Sequence, residues 1–203
     1  MATPKMNTLE HWQGDFGREY TDRNVEDYKT RIPAFAEILA GVKVERVLEV
    51  GCNRGHNLAA LAELLGPESE VVGLEPNRYA LRIARAASTA VSALHGSAFD
   101  LPFRDGTFDL VFTAGVLIHV ALADLPTALR EISRVSRRYI LCMEYFAEEE
   151  TEILYRGETG LLWKRNFLRH YQEMWPSLQL LKTGYLGPEQ GWDRITWWLL
   201  EKR

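Results

Sequence analysis

The sequence has few cysteines, no long apolar run and no excess of positive charge, and each shortage excludes a class of protein. Only two cysteines, Cys52 and Cys142, occur among its 203 residues, so we expect a reducing, cytoplasmic setting with neither a disulfide framework nor a metal site. No apolar run reaches the roughly 18 residues of a membrane-spanning helix, and the first residues lack a signal-peptide layout. The net charge of −4 excludes a generally basic nucleic-acid-binding surface.

The composition is that of an ordinary globular domain. Apolar residues make up 46% and charged residues 26% of the chain, a balance that argues against disorder or a coiled coil. The length suits one domain with a full hydrophobic core. We expect a helical lid in residues 1–40, a core in residues 41–203, and a monomer or homodimer that acts on a small molecule.

Short β-branched runs alternate with helical patterns, which predicts an α/β fold with a doubly wound, mostly parallel sheet. Strands are predicted at 46–50, 70–75, 90–94, 108–113 and 139–143. Helices are predicted at 26–40, 56–65, 77–88, 124–138 and 164–174, and a shorter one within 1–24. The first of these is either continuous or kinked or broken at Pro33. Two closing strands, 178–184 and 194–201, are joined by a short connection that favours an antiparallel hairpin.

One strand-to-helix turn carries the chemical prediction. In Val47-Leu-Glu-Val-Gly-Cys-Asn-Arg-Gly55, Gly51 and Gly55 let the backbone approach a ligand near a helix N-terminus. Asn53 stands where a middle glycine is common, and asparagine tolerates positive φ. Glu75 ends the next strand, 20 residues after Gly55, at the spacing of about 20 where an acid binds ribose hydroxyls. Together these features predict a nucleoside pocket.

Other strand ends are expected to complete this pocket, because ligands of open α/β sheets bind outside the carboxyl ends of the strands. The segments that follow predicted strands are Gly51–Gly55, Glu75, Ser97–Phe99, Thr113–His119 and Glu144–Phe146.

These segments resemble the class I S-adenosylmethionine-dependent methyltransferases. Residues 49–55 resemble the first motif of that family and Glu75 its second, while 96–103 resemble the segment around the adenine and 108–113 the fourth strand. Ser97 departs from the pattern, because many relatives carry an acid there. The resemblance implies a Rossmann-like, seven-stranded sheet, S-adenosylmethionine as cofactor and S-adenosylhomocysteine as product. The predicted cofactor-binding residues are Glu49, Gly51, Cys52, Asn53, Gly55, Glu75, Pro76, Ser97, Ala98, Phe99, Thr113, Ala114 and Gly115. Tyr20 and Arg23 join them from an N-terminal segment that either folds over the methionine part of the cofactor or packs on the sheet.

A narrower resemblance covers nearly the whole chain. Segments such as Trp12-Gln-Gly-Asp-Phe-Gly-Arg-Glu-Tyr20, Gly115-Val-Leu-Ile-His119 and Leu162-Trp-Lys-Arg-Asn166 resemble the small methylases associated with pseudaminic acid biosynthesis. This resemblance implies a small polar acceptor, such as a nonulosonic sugar acid or a nucleotide-linked sugar.

Several side chains are candidates for the reaction itself. His119, six residues past the fourth predicted strand, is either a general base or orienting group, or a residue that packs the loop. Glu144 and Tyr145 either contact the acceptor or form an exposed strand end. Acceptor binding is predicted for a group of aromatic and cationic residues, whose alternative role is a solvated helix start or, for Trp12, packing on the sheet. They are Trp12, Tyr155, Arg156, Lys164 and Arg165.

Two other functions stay open beside methyl transfer. Attack at another carbon of the sulfonium would give cyclisation or aminopropyl transfer and release methylthioadenosine. A catalytically inactive protein would only sense S-adenosylmethionine. The arginines at 130, 134, 137 and 138 are predicted to lie on one solvated helix face, and Trp197 and Trp198 on opposite faces of a strand.

Overall fold

The structure, a computed structural model, describes residues 8–87 and 90–203 and contains nine strands. They are β1 (Arg46–Val50), β2 (Glu70–Glu75), β3 (Ser92–His95), β4 (Phe108–Ala114), β5 (Ser136–Glu144), β6 (Thr151–Glu152), β7 (Trp163–Lys164), β8 (Gln179–Leu186) and β9 (Ile195–Glu201). Seven of them form one sheet in the order β3-β2-β1-β4-β5-β9-β8. The first five strands of this order are parallel, and β9 is antiparallel to both β5 and β8. This is the predicted doubly wound sheet with its terminal hairpin.

Helices cover both faces of the sheet. They are α1 (Thr8–Gln13), α2 (Asp15–Arg23), α3 (Ile32–Leu39), α4 (His56–Leu65), α5 (Arg78–Ala87), α6 (Leu125–Val135) and α7 (Phe167–Met174). Short 3-10 helices occupy Tyr28–Arg31, Leu117–His119 and Pro188–Gln190. Within residues 8–87 and 90–203, no helix combines the length and apolar character needed to cross a membrane.

The central strands are buried on both faces, as expected for parallel strands between helical layers. Along β1, Val47 packs into the core beneath α3 and α4, whereas Leu48 packs into the core beneath α6 and α7. Trp197 and Trp198 divide in the same way between the two cores, as predicted. The sheet is therefore a rigid layer whose strand ends hold the loops of one edge.

The N-terminal region contains more and shorter helices than predicted, and they begin or end at proline and glycine residues. Residues 26–40 are not one helix, because α3 begins at Ile32 with Pro33 in its first turn, where a residue without an N–H is tolerated. Gly14 separates α1 from α2. A Cβ on Gly17 would lie 1.9 Å from the Trp12 carbonyl oxygen, so only glycine permits this close packing. The predicted helix within 1–24 is thus two helices, and residues 1–7 lie outside the described part.

Three other predicted boundaries are wrong. Strand β3 begins at Ser92, two residues later than expected. Arg137 and Arg138 lie on β5 and not on α6, because pairing with β4 extends β5 back to Ser136. Helix α7 begins at Phe167, because Trp163 and Lys164 pair with β6 in a two-stranded ribbon that was not predicted.

Candidate functional site

The turn between β1 and α4 has the backbone conformation that its glycines allow. Gly51, Asn53 and Gly55 have φ values of 83°, 45° and 81°. A Cβ on Gly51 would lie 2.5 Å from Cγ2 of Val116, so a side chain there would force the turn away from the loop after β4. The turn therefore runs close to two strand ends, the end of its own strand β1 and the end of β4.

Glu75, the last residue of β2, has its carboxylate directed at this turn. Oε2 accepts the Asn53 N–H at 2.8 Å, and Oε1 accepts the Asn77 N–H at 2.8 Å. Burial raises the pKa of Glu75 to about 7, although the two backbone hydrogen bonds lower it. Each oxygen keeps lone-pair capacity for a further donor, so the carboxylate is fixed in place and still able to accept hydroxyl groups.

Glu49 is a second buried carboxyl group beside the turn. Its Oε1 accepts a hydrogen bond from Nδ2 of Asn57 at 2.7 Å. Its Oε2 is buried and has no hydrogen-bond partner in the part of the chain that the structure describes. Burial, more than the neighbouring charge of Glu75, raises the pKa of Glu49 to about 8. An unpaired buried carboxyl oxygen is costly, and a cation beside it would favour the charged form.

A cavity of about 780 Å³ connects these groups along the carboxyl ends of the strands. Its volume lies within the range of about 300–1,000 Å³ that is usual for small-molecule sites. It is lined by most of the predicted cofactor-binding residues. They are Glu49, Gly51, Cys52, Asn53, Glu75, Pro76, Ser97, Ala98, Phe99, Ala114, Gly115, Tyr20 and Arg23.

Two predicted cofactor residues do not line the cavity. Gly55 caps α4, where a Cβ would lie 3.5 Å from the Cβ of Ala84, so its place is in the packing of α4 against α5. Thr113 is buried within β4, with a side chain 1% exposed. Both residues support the site without facing a ligand.

Helices α1 and α2 line the cavity and are held there by polar side chains from the core. Nδ2 of Asn77 donates to the carbonyl oxygens of Trp12 at 2.8 Å and Gly14 at 3.1 Å. Nη1 of Arg54 donates to the Thr21 carbonyl oxygen at 3.1 Å. The N-terminal helices are therefore fixed along the cavity, and their role as a lid stays a prediction.

The end of the cavity that holds His119 is aromatic. The ring of Trp12 lies 4.4 Å from that of His119 and 5.2 Å from that of Tyr20, measured between ring centres. The ring of Tyr155 lies 5.5 Å from that of His119. Tyr145 also lines this end, and its hydroxyl donates to the carboxylate of Asp193. Burial raises the pKa of Tyr20 to about 12, so this tyrosine is neutral at pH 7.

His119 is held as a neutral ring. Its Nδ1 lies 2.6 Å from the Leu161 carbonyl oxygen, which can only accept, so Nδ1 carries the hydrogen and Nε2 the lone pair. Burial lowers the pKa of His119 to about 4. At neutral pH the ring therefore offers a hydrogen-bond acceptor at the aromatic end of the cavity.

Three residues predicted to contact the acceptor do not line the cavity: Glu144, Lys164 and Arg165. Glu144 is fully buried, so it is not an exposed strand end, and its carboxylate accepts backbone N–H groups of the loop after β4. Arg165 is 1% exposed and donates to a carbonyl oxygen of the same loop. Lys164 belongs to β7, with Nζ 6.0 Å from the ring centre of Tyr145. Arg156, by contrast, lines the cavity with Trp12 and Tyr155.

Sequence reasoning missed several cavity residues that come from distant segments. The guanidinium of Arg31 lies 4.0 Å from the ring centre of Trp192 and is paired with Glu26. Asp193 lines the same side. No motif marks these positions, because the segment before α3 and the loop before β9 are far apart in the sequence and meet only in the folded protein. Within residues 8–87 and 90–203, no group of three or more histidine, cysteine or acidic side chains is placed to bind a metal.

The strand order, with its single reversed strand, is that of the class I methyltransferase fold. Residues 47–138 match the model of the family described as "Methyltransferase domain". Residues 47–138 are therefore similar in sequence to a methyltransferase domain.

Among curated relatives, an uncharacterized methyltransferase of Schizosaccharomyces pombe is 36% identical over 115 residues, which cover 50% of this chain and 40% of the relative. A demethylmenaquinone methyltransferase of Geobacillus kaustophilus is 37% identical over 100 residues, or 47% of this chain and 42% of that protein. The aligned part is thus less than half the length of either relative.

Among solved structures, the 1,6-didemethyltoxoflavin-N1-methyltransferase of Burkholderia thailandensis superposes with a TM-score of 0.73 at 18% identity. The alignment covers 100% of this chain and 93% of that chain. That structure contains bound 1,6-didemethyltoxoflavin and S-adenosylhomocysteine. The similarity shows a shared fold.

Proposed function

We propose that this protein is an S-adenosylmethionine-dependent methyltransferase that transfers a methyl group to a small acceptor and releases S-adenosylhomocysteine. The observation that carries the proposal is the position of the Glu75 carboxylate, fixed by the Asn53 N–H beside the turn at Gly51. A carboxylate in this place is suited to accept the two ribose hydroxyls of a nucleoside. The methyltransferase-domain match over residues 47–138 supports the same conclusion.

The remaining cofactor contacts follow from the lining of the cavity. The unpaired Oε2 of Glu49 would accept the ammonium group of the methionine part, which removes the cost of leaving that oxygen unsatisfied. Residues 97–99 would contact the adenine, and the aromatic face of Tyr20 suits the positive charge of the sulfonium. All these residues already line the cavity, so none of the proposed contacts requires a rearrangement of the sheet.

S-adenosylmethionine, when bound, supplies an activated methyl group, so the protein has to align a nucleophile and exclude water. Trp12, Tyr20 and Tyr155 form an apolar wall suited to that exclusion. With its low pKa, His119 is a weak base. We therefore assign it the role of orienting an acceptor hydroxyl or amine, which would donate a hydrogen bond to Nε2.

The acceptor is proposed only as a small molecule. Of the three cations predicted to grip an acid, Arg156 alone lines the cavity. The relatives are named for demethylmenaquinone and 1,6-didemethyltoxoflavin, and they give no support to the sugar acid that the narrower resemblance implies. A nonulosonic sugar acid therefore stays a prediction, to be tested among other acceptors.

Calorimetric titration with S-adenosylhomocysteine tests the cofactor site. We expect the wild type to bind and Glu75→Ala to weaken binding by about 2 kcal/mol, roughly 30-fold, because two charge-assisted hydrogen bonds are lost. The matched control is Glu70→Ala, at the other end of β2, where the carboxylate pairs with Arg46 in an exposed position. Equal affinities for the two variants would remove Glu75 from the site, and a wild type that does not bind would overturn the proposal.

The released nucleoside distinguishes methyl transfer from the alternatives. S-adenosylhomocysteine is the expected product with a competent acceptor, whereas methylthioadenosine would indicate attack at another carbon of the sulfonium. Binding without turnover across hydroxyl, amine, heterocyclic and sugar-acid acceptors would instead indicate a sensor. Chromatography of the reaction mixture separates these outcomes.

A further inference from the structure

The carboxylate of one buried residue, Glu144, accepts hydrogen bonds from backbone N–H groups of the loop after β4. Oε1 of Glu144 accepts the N–H groups of Val116 at 3.2 Å and Leu117 at 3.0 Å, and Oε2 accepts that of Ile118 at 3.2 Å. These three N–H groups belong to the start of the 3-10 turn Leu117–His119, where no earlier residue of the turn could accept them. Glu144 thus satisfies the donor end of the turn that carries His119.

A buried cation satisfies the acceptor end of the same turn. Nη1 of Arg165 donates to the carbonyl oxygens of Val120 at 2.7 Å and Leu117 at 3.4 Å, and Nε is paired with Glu150. The negative charge lies at the N–H end and the positive charge at the C=O end, which is the favourable orientation for a helical turn. Buried charges are costly unless they are well bonded, so both side chains favour one conformation of the turn.

Residues that flank β7 contact both the backbone of this turn and the ring of His119. Leu161, which accepts the hydrogen on Nδ1 of His119, lies shortly before β7, and Arg165 immediately follows it. One short segment, 161–165, therefore bonds both the backbone of the turn and its imidazole.

We propose that Glu144 and Arg165 are positioning residues, which fix the Leu117–His119 turn and thereby keep the Nδ1 hydrogen of His119 on the Leu161 carbonyl and the lone pair on Nε2. The proposal rests on the proposed function only in that this lone pair would face a methyl acceptor. Neither Glu144 nor Arg165 contacts the acceptor; both act through His119.

The first test compares Arg165→Lys with the matched control Arg169→Lys. Lysine keeps the positive charge but lacks the planar set of donors that serves the loop carbonyls and Glu150 together. Arg169 lies on α7, is partly exposed and donates to the Glu148 carbonyl oxygen, away from the turn. Nitrogen-15 NMR of the five histidines, with His119 assigned from His119→Gln, reports tautomer and pKa.

We expect Arg165→Lys to raise the pKa of His119 from about 4 by about one unit or more, as the freed ring gains water, and to mix its tautomers. Affinity for S-adenosylhomocysteine should change by less than about threefold, because Arg165 does not line the cavity. Arg169→Lys should leave His119 unchanged. A general structural role would lower thermal stability without moving His119, so a folded Arg165→Lys variant with wild-type His119 signals would overturn the proposal.

The positioning role of Glu144 is tested in two ways, with the variant Glu144→Gln and with hydrogen exchange of the wild-type protein. The glutamine amide places donors against the N–H groups of the turn, so we expect the same change at His119. If either variant fails to fold, hydrogen exchange of the wild type still decides: the amides of Val116, Leu117 and Ile118 should exchange as slowly as those of β4. Exchange at the rate of an exposed loop would contradict the proposal. Neither outcome depends on binding of S-adenosylmethionine, so failure here is distinguishable from failure of the proposed function.

Discussion

At the scale of single residues, two buried carboxyl groups with raised pKa values line the cavity beside the Gly51 turn. Glu49 has a pKa of about 8 and Glu75 one of about 7, both mainly through burial. In the free protein at pH 7, Glu49 is therefore largely protonated. A ligand with an ammonium group would stabilise the ionised form and lower its pKa.

The lower pKa of Glu49 in the complex than in the free protein predicts that a proton is released on binding. Near pH 7 the free protein holds a proton that the complex does not, so affinity for S-adenosylhomocysteine should rise between pH 6 and pH 8. Calorimetry in two buffers of different ionisation enthalpy measures the release directly. Glu49→Gln, which cannot ionise, should release fewer protons; a release identical to that of the wild type would assign the titration to another group.

His119 is the residue for which binding and turnover should separate most clearly. We expect His119→Ala to lower turnover about tenfold or more while affinity for S-adenosylhomocysteine changes little, because the ring lies at the aromatic end of the cavity. Single-turnover rates and calorimetry on the same preparation make the comparison. The reverse pattern, weak binding with normal turnover, would make His119 a packing residue.

At the scale of elements, Asn77 joins three parts of the site. Its Oδ1 caps α5 by accepting the N–H groups of Tyr79 and Ala80, while its Nδ2 holds the carbonyl oxygens of Trp12 and Gly14. The N-terminal helices are therefore attached to the residue that follows the Glu75-Pro76 end of β2. Any movement of α1 and α2 has to break these two bonds.

Asn77→Ser separates the two roles. Serine caps a helix about as well as asparagine, but its hydroxyl is too short to reach both carbonyl oxygens. We expect faster amide exchange in residues 8–23 and about tenfold weaker binding of S-adenosylhomocysteine, with α5 unchanged. Slow exchange in residues 8–23 would show that other contacts, such as that of Arg54 with Thr21, are sufficient.

At the scale of the whole molecule, the buried acids and the buried His119 change the free energy of unfolding in opposite directions as pH rises. Glu49, Glu75 and Glu144 have pKa values raised by burial to about 8, 7 and 7, so the folded protein binds protons more tightly than the unfolded chain. Their contribution is therefore lost as pH rises from about 4.5 to 8. The buried His119, with a lowered pKa, makes a contribution that is lost as pH falls below about 6.5.

Above pH 7 the contribution of His119 no longer changes, whereas that of the buried carboxyl groups is still being lost. The free energy of unfolding should therefore fall between pH 7 and pH 8. Thermal unfolding at both pH values measures this change, and S-adenosylhomocysteine should raise the melting temperature at pH 8 if it pairs with ionised Glu49. Glu49→Gln should show a shallower dependence. A melting temperature that rises between pH 7 and pH 8 would contradict the assignment.

The sequence by itself was sufficient for the sheet, the glycine turn and the acid at Glu75. These are local features: apolar runs define buried strands, Gly51 and Asn53 permit positive φ, and Glu75 follows at a fixed distance along one βα unit. The terminal hairpin was predictable for the same reason, because a short connection leaves only an antiparallel arrangement.

Only the tertiary structure decided which polar side chains face the cavity. In the sequence, Glu144 at a strand end and Arg165 in a cationic, aromatic segment resemble acceptor-binding residues, yet both are buried under the turn that carries His119. The β6–β7 ribbon has strands of two residues, too short for any periodicity to predict. Burial, ring contacts and hydrogen bonds between distant segments arise only when the sheet brings strand ends together, and they set the ionisation state and orientation of each group.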